Sequence, residues 1–162
     1  MPEVLDIALR PITDADLPFL GRLYAGTRQQ ELAVTGWPQQ QIDAFLAQQF
    51  AAQHKYYSEN YHAASFDLIL DPESGEPVGR LYLDRRDGEI RIVDIALLPE
   101  WRGRGIGGGI LRGILSEAGA AGKSVSIHVE ANNPAMSLYL RLGFHHVADN
   151  GIYHLMEWSA PE

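Results

Sequence analysis

A glycine-rich segment with two arginines is the part of this chain whose residues most clearly suggest chemistry. It joins an apolar run at residues 90–98 to a helix-like run at residues 110–118, and it reads Pro99-Glu100-Trp101-Arg102-Gly103-Arg104-Gly105-Ile106-Gly107-Gly108-Gly109. The free N–H groups and the dipole of a helix N-terminus attract anions, and glycine lets a phosphate approach because it has no Cβ. The segment predicts a site for a phosphate-bearing ligand; a flexible solvent-exposed loop is the alternative.

The same glycines match a second pattern. Gly103, Gly105 and Gly108 have the G-x-G-x-x-G spacing of dinucleotide-binding proteins, and Glu130 follows at about the distance of a ribose-binding acid. That fingerprint belongs to the first strand–helix turn of a βαβ unit. Here the three strands of an antiparallel meander come directly before the glycines, and residues 99–102 separate the glycines from the last of them. We therefore favour another phosphate ligand over NAD(P).

Length and composition indicate one domain, residues 1–162, with 46% hydrophobic residues. The absence of cysteine excludes disulfides, thiolate metal sites and a cysteine nucleophile. The six histidines show no metal-ligand spacing, and the neighbours His145 and His146 face opposite sides of a predicted strand. We therefore predict no metal site.

Charge and hydropathy limit the partners and the location that we expect. A formal net charge of −8 opposes binding to nucleic acid. The sequence contains neither an apolar stretch long enough to span a membrane nor a signal-peptide pattern. We expect a soluble, cytoplasmic protein that binds neither nucleic acid nor membranes, and a homodimer is compatible with these features.

The order of predicted elements is β α α β β β α β α β β. It indicates an α/β (α+β) fold with a mixed, mostly antiparallel central sheet and helices on both faces. The final hairpin turn is predicted at Asp149-Asn150-Gly151. The predicted strands are residues 7–10, 66–70, 77–83, 89–98, 125–130, 144–148 and 152–158, and the predicted helices begin near residues 14, 38, 110 and 134.

Two motifs, in order, resemble the GCN5-related N-acetyltransferase (GNAT) family. Arg102-x-x-Gly105-x-Gly107 is similar to the family's Q/R-x-x-G-x-G/A signature. The block Asn132-x-x-Ala135-x-x-Leu138-Tyr139-x-x-x-Gly143-Phe144 is similar to its C-terminal motif. The resemblance covers about residues 90–144 and implies a single-domain acyl-CoA N-acyltransferase fold; the N-terminal helices match in topology only.

The resemblance implies how acetyl-coenzyme A (acetyl-CoA) is held. The fourth strand is expected to bulge and splay from the fifth, so that backbone groups of Ile95 and Leu97 pair with the pantetheine arm. The N–H of Leu97 would face the thioester oxygen, and Asn132 would contact the cofactor arm, although either Asn132 or Asn133 fits a helix cap. The pyrophosphate would lie on Arg102, Gly103, Arg104, Gly105, Ile106, Gly107 and Gly108.

The resemblance also implies the catalytic residues. Tyr139 occupies the family's general-acid position, and a core tyrosine is its structural alternative. The glutamate that many members carry on the fourth strand has no secure counterpart, because Arg91 or Val93 falls in its place. Asp94 is the leading candidate for the base, followed by Glu130 and His128.

We expect the first two helices and the last hairpin to form the acceptor pocket. An aromatic and acidic wall would suit a cationic amine. The candidate residues are Tyr24, Glu31, Trp37, Gln41, Tyr56, Tyr57, Tyr61 and Tyr153. The sequence thus predicts an N-acetyltransferase that moves acetyl from acetyl-CoA to an amine of a small molecule or peptide in a ternary complex; a non-catalytic acyl-CoA sensor is the alternative.

Overall fold

The structure is a computed structural model that describes residues 8–131 and 133–161. Its helices and strands follow the predicted order, with two short 3-10 helices in addition, at Asp14–Asp16 and Pro99–Trp101. The strands are β1 (Ala8–Pro11), β2 (Ser65–Leu70), β3 (Pro77–Arg85), β4 (Glu89–Leu97), β5 (Ser124–Glu130), β6 (His145–Asn150) and β7 (Tyr153–Trp158). The helices are α1 (Leu17–Ala33), α2 (Gln39–Asn60), α3 (Ile106–Ala121) and α4 (Met136–Arg141).

All seven strands form one sheet in the order β1-β2-β3-β4-β5-β7-β6. Every neighbouring pair is antiparallel except β4 and β5, which run parallel because α3 connects them. The expected mixed, mostly antiparallel sheet is therefore confirmed.

Each face of the sheet is covered by a pair of helices, as the pattern predicts. On one face, α3 presents Ile110, Leu111 and Ile114 at helical spacing to strand residues such as Ile92 and Val125. On the other face, α1 and α2 bury a second cluster that includes Leu20, Leu23, Leu46, Phe50 and Leu68. The sheet thus separates two cores, and a side chain in the middle strands belongs to one or the other.

The last hairpin differs from the prediction by its turn. β6 continues through Asn150, which pairs with Tyr153, so Gly151 and Ile152 form a two-residue turn in place of Asp149-Asn150-Gly151. Gly151 has φ +69°, the left-handed conformation that short hairpin turns demand. The Asp-Asn-Gly signal is therefore placed correctly to within two residues.

β4 loses one of its two neighbouring strands half-way along its length. Its parallel pairing with β5 runs only from Glu89–Ser124 to Ile92–Ile127, so the two strands separate beyond that point. On the other side, the β3 pairing shifts at the same place, because Tyr82 pairs with Asp94 and Leu83 with Ile92, which leaves Val93 as a bulge. The bulge and the splay that the resemblance implies are both confirmed.

Backbone groups of β4 consequently face an open edge. Leu98 donates its N–H to the carbonyl oxygen of Val78 at 2.8 Å, and antiparallel hydrogen bonds alternate along a strand. Leu98, Ala96 and Asp94 therefore bond toward β3, whereas the N–H and C=O groups of Ile95 and Leu97 point toward the gap beside β5. This edge can accept another extended chain as a strand would.

Close approach of β3 to β4 depends on Gly79, which lies opposite Leu97. A Cβ at Gly79 would collide with the carbonyl oxygen of Ala96 and would lie 2.8 Å from Cδ2 of Leu97. Backbone cannot yield as a flexible side chain can, so the position requires glycine.

The substitution Gly79→Ala should lower the free energy of unfolding by about 1–3 kcal/mol, because the methyl group pushes β3 away from the β4 backbone. Urea denaturation followed by circular dichroism measures the change. Gly88→Ala is the matched control, since a Cβ there meets no heavy atom within 4 Å. Equal denaturation midpoints for the two variants would contradict the close approach.

Candidate active site

The glycine turn between β4 and α3 is built to leave backbone uncovered. Gly103 and Gly105 have φ of +73° and +84°, a region that only glycine adopts easily, and Gly105 is the N-cap of α3. An added Cβ at Gly103, Gly105 or Gly107 would meet no heavy atom within 4 Å. The first N–H groups of α3 lack helical acceptors, so the turn offers donors to an anion in open space.

The two arginines of the turn are anchored by their neighbours. Arg102 donates from Nε to the carbonyl oxygen of Leu97 at 3.1 Å, which ties the turn to the end of β4. The guanidinium of Arg104 lies over the ring of Trp101, 4.5 Å from its centroid. Neither arginine forms an ion pair with a carboxylate of residues 8–131 or 133–161. Both charges are therefore free to neutralise a phosphate.

Arg112 is a third cation beside the turn that the sequence analysis missed. Its Nη1 lies 3.3 Å from the place that a Cβ on Gly108 would occupy. The spacing of four residues from Gly108 puts it one helical turn further along α3. The four-residue spacing between Gly108 and Arg112 in the sequence could have indicated this third cation.

Tyr139 on α4 is almost fully buried, with 5% of its surface exposed. Its ring packs edge-on against Phe144 at 5.5 Å between centroids, and no other described residue hydrogen-bonds with its hydroxyl. Burial, with a smaller effect of the negative charge of Asp94, raises the pKa of Tyr139 to about 12. The phenol therefore carries its proton at physiological pH.

The raised pKa also links Tyr139 to stability. An unfolded tyrosine has a pKa near 10, so the neutral phenol stabilises the fold at every pH below about 10. This contribution is lost as the pH rises through about 12. Burial of Tyr139 in the core thus both keeps the phenol protonated and contributes to stability.

Asp94 lies on the opposite face of the sheet, in an ion pair with Arg80 that the sequence analysis did not identify. Arg80 is 3% exposed and also donates to Oε1 of Gln53 at 2.9 Å, while its guanidinium lies 4.9 Å from the ring centroid of Tyr82. A buried arginine needs such partners because an unpaired charge in the core is costly. A single arginine within the apolar strand pattern of β3 was the sequence feature that could have indicated a buried ion pair.

Aromatic rings surround this ion pair on the α2 side. Tyr57 meets Tyr82 edge-on at 5.8 Å and Tyr61 at 5.8 Å, and Phe66 meets Tyr82 at 4.7 Å. Burial, followed by the charge of Asp94, raises the pKa of Tyr57. Tyr57 and Tyr61 are therefore the predicted pocket residues that lie with Asp94.

Other predicted pocket residues have structural partners. Tyr24 is buried against Phe50 and accepts a hydrogen bond from Arg28 at 2.9 Å. Arg28 also forms an ion pair with Glu31, and Trp37 packs edge-on against Phe45 at 5.6 Å. Tyr56, Gln41 and Tyr153 are exposed. The structure does not bring these residues together with Asp94.

The remaining candidates for the base lie at the end of β5. His128 faces Arg91, whose Nη1 is 3.3 Å from Nδ1, and Asn150, whose Nδ2 is 3.0 Å from Nε2. Burial and then the positive charge of Arg91 lower the pKa of His128, which favours the neutral imidazole. Glu130 is the last residue of β5 and lies opposite Tyr153 of β7.

Two asparagines, Asn132 and Asn133, precede α4, and the sequence allows either to be a helix cap. Asn133 accepts a hydrogen bond at Oδ1 from the N–H of Ala135 at 2.8 Å, which forms a turn before α4, whose N-cap is Ala135 itself. Asn132, the predicted contact of the cofactor arm, lies outside the described residues.

Comparison with known proteins indicates the family of this chain. The model of the acetyltransferase (GNAT) family matches residues 30–144, which is more than half of the chain. The match includes the glycine turn, β4, β5 and α4. No match was found among curated proteins.

Solved structures show the same fold at low sequence identity. PaiA N-acetyltransferase from Thermoplasma acidophilum, in complex with coenzyme A, is 17% identical, covers 96% of this chain and 100% of its own, and has a TM-score of 0.70. An acetyltransferase from Thermus thermophilus is 21% identical, covers 97% and 99%, and has a TM-score of 0.66. A chimera of spermidine N-acetyltransferase SpeG from Vibrio cholerae and hSSAT is 18% identical, covers 96% of each chain and has a TM-score of 0.66.

The structure has the bulged and splayed fourth strand that the family resemblance implies, and the glycine turn at the end of that strand leads into α3. The family model spans the same elements. The chain therefore belongs to the GNAT family of acetyltransferases.

Proposed function

We propose that this chain transfers an acetyl group from acetyl-CoA to a primary amine of a small molecule or peptide. The observation that carries the proposal is the open edge of β4, which leads directly into the anion-binding turn at α3. Ile95 and Leu97 supply the edge, and Arg102 joins it to the turn through its bond to Leu97. A donor with a peptide-like arm and a pyrophosphate matches these two adjoining surfaces.

The pyrophosphate binds at the turn in this proposal. Its oxygens accept hydrogen bonds from N–H groups of residues 103–108, and Arg102 and Arg104 supply charge. The arm pairs with Ile95 and Leu97 as an added strand. The N–H of Leu97 then stabilises the oxyanion that develops on the thioester carbonyl, an effect worth roughly 3 kcal/mol for one well-placed donor.

The chemistry is a direct attack in a ternary complex. The amine nitrogen forms a bond to the thioester carbonyl carbon, the carbon–sulfur bond breaks, and the sulfur leaves with the bonding electrons. Tyr139, which is protonated at physiological pH, donates a proton to the departing sulfur. No cysteine is present to carry a covalent acyl intermediate.

Asp94 is proposed to receive the proton of the attacking amine, directly or through a water molecule. The ion pair with Arg80 keeps its carboxylate in place, and Tyr57 limits water on the α2 side. Neutral His128 is the alternative acceptor of this proton. An overall charge of −8 and the rings of Tyr57 and Tyr61 favour a cationic acceptor. The spermidine acetyltransferase relative supports an amine substrate class.

A bulky residue at Gly107 should prevent acetyl-CoA from binding without harming the fold. Gly107→Leu fills the open space over the turn, so its dissociation constant for acetyl-CoA should rise at least tenfold in calorimetry, about 1.4 kcal/mol. Gly113→Leu is the matched control: it lies on the same helix, is exposed and also has no heavy atom within 4 Å of an added Cβ. Equal acetyl-CoA affinities for the two variants would place the donor elsewhere.

The proton donor is tested by kinetics. Tyr139→Phe keeps the buried ring and removes only the hydroxyl, so kcat should fall about 10- to 100-fold. The affinity for acetyl-CoA should stay within a factor of about two, since the hydroxyl acts on the departing sulfur. Thiol release with a panel of polyamines, amino sugars and peptide N-termini measures the rate. An unchanged kcat would remove Tyr139 from the mechanism.

Asp94→Asn should lower kcat by a similar factor, and Asp87→Asn, in the exposed turn between β3 and β4, is its control. If Asp94→Asn leaves kcat unchanged while a change at His128 lowers it, the proton acceptor is His128. Tight acetyl-CoA binding with no thiol release for any amine would instead fit the sensor function.

A further inference from the structure

The hairpin of β6 and β7 carries a side-chain cluster that the proposed transfer reaction does not use. Its members are His146, Asp149 and His154. They lie on the hairpin at one edge of the sheet, and each has about a third or more of its side chain exposed.

A β-bulge brings the three residues to one face. His146 pairs with Met156, and the next pair is Ala148 with Leu155, so Val147 is the extra residue. In a regular strand His146 and Asp149 would face opposite sides, because they are three residues apart. The bulge reverses the alternation between them, and Asp149 then lies directly opposite His154.

The nitrogen and oxygen atoms of the cluster converge. Nε2 of His146 is 2.7 Å from Oδ1 of Asp149, and Nδ1 of His154 is 3.0 Å from the same oxygen. The three potential ligand atoms all lie within 4.8 Å of one another, and the two imidazole rings meet edge-on at 4.7 Å. Ligand atoms around a tetrahedral zinc ion are about 3.3 Å apart, because each bond is about 2.0 Å long. To hold an ion, the two imidazole nitrogens would move slightly away from Oδ1 of Asp149 and closer to each other, because the three atoms now lie up to 4.8 Å apart.

The donor set selects the kind of metal. Two imidazole nitrogens and one carboxylate oxygen suit zinc and its neighbours in the first transition row, whereas Mg²⁺ and Ca²⁺ prefer oxygen alone. A carboxylate is ionised at neutral pH, which is the form that a metal requires.

We propose that His146, Asp149 and His154 bind one divalent transition-metal ion, with Zn²⁺ the best match to the donor set. The ion displaces the shared protons and keeps its remaining position for water. The hairpin that would hold the ion also contacts β5 and the residue that follows it. Ala131, which follows β5, donates its N–H to the carbonyl oxygen of Ile152 at 3.1 Å, and Asn150 contacts His128. A bound ion would therefore also stiffen the hairpin that follows the open end of β5.

The experiment uses the full chain without a polyhistidine tag, stripped of metal and titrated with ZnCl₂ by calorimetry. We expect saturable binding of one Zn²⁺ per chain. His146→Gln should weaken it by about 100-fold, because it removes one of three protein ligands. His145→Gln is the matched control: it removes an imidazole from the adjacent residue of the same strand, and should leave the affinity unchanged.

A second measurement keeps the test independent of the fold of any one variant. Cobalt(II) added to the wild-type chain should give the intense visible absorption of a tetrahedral site, and Asp149→Asn should lose it. Circular dichroism of the metal-free variants checks that they remain folded. Absence of saturable Zn²⁺ binding, or an equal loss of affinity for His145→Gln and His146→Gln, would overturn the proposal. None of these outcomes depends on acetyl-CoA or on transfer activity.

Discussion

The structure depends on one break in its sheet, where β4 loses β5 as a partner after Ile92. Every buried backbone N–H and C=O needs a hydrogen-bond partner, and a missing one costs about 1–3 kcal/mol. Beyond the break, β4 keeps β3 on one side. On the other side, the backbone groups of Ile95 and the N–H of Leu97 face the gap, and the carbonyl oxygen of Leu97 accepts a hydrogen bond from Arg102. The fold tolerates this edge because it is open, and an extended ligand can complete the strand.

The break also brings the two cores together. Tyr139 belongs to the core under α3 and α4, whereas Asp94 faces the core under α1 and α2. In an unbroken sheet the strands would separate them. Here the charge of Asp94 contributes to the raised pKa of Tyr139, so a phenol from one layer and a carboxylate from the other influence each other. The buried Arg80 balances that carboxylate and keeps the layer under α2 close to neutral.

Neighbouring residues in the sequence account for most of the fold. The alternation in β2 to β4, the helical spacing of Ile110, Leu111 and Ile114 and the glycine turn are local patterns, and they predicted the order of the elements correctly. Their boundaries were predicted less accurately, as in the last turn, where pairing between β6 and β7 extends into the Asp-Asn-Gly signal as far as Asn150. The two motifs located the turn, the β4 edge and Tyr139 because those features each lie within a short stretch of chain.

What the sequence by itself determined is therefore the order of strands and helices, the family and the glycine turn before α3, all of which follow from residues close in the chain. The tertiary structure alone decided which distant residues meet. Arg80 reaches both Asp94 and Gln53, from different elements, and no spacing predicts that contact. His146, Asp149 and His154 share a face only because Val147 bulges. A bulge reverses the period-two alternation on which strand prediction relies, and it arises from pairing with another strand.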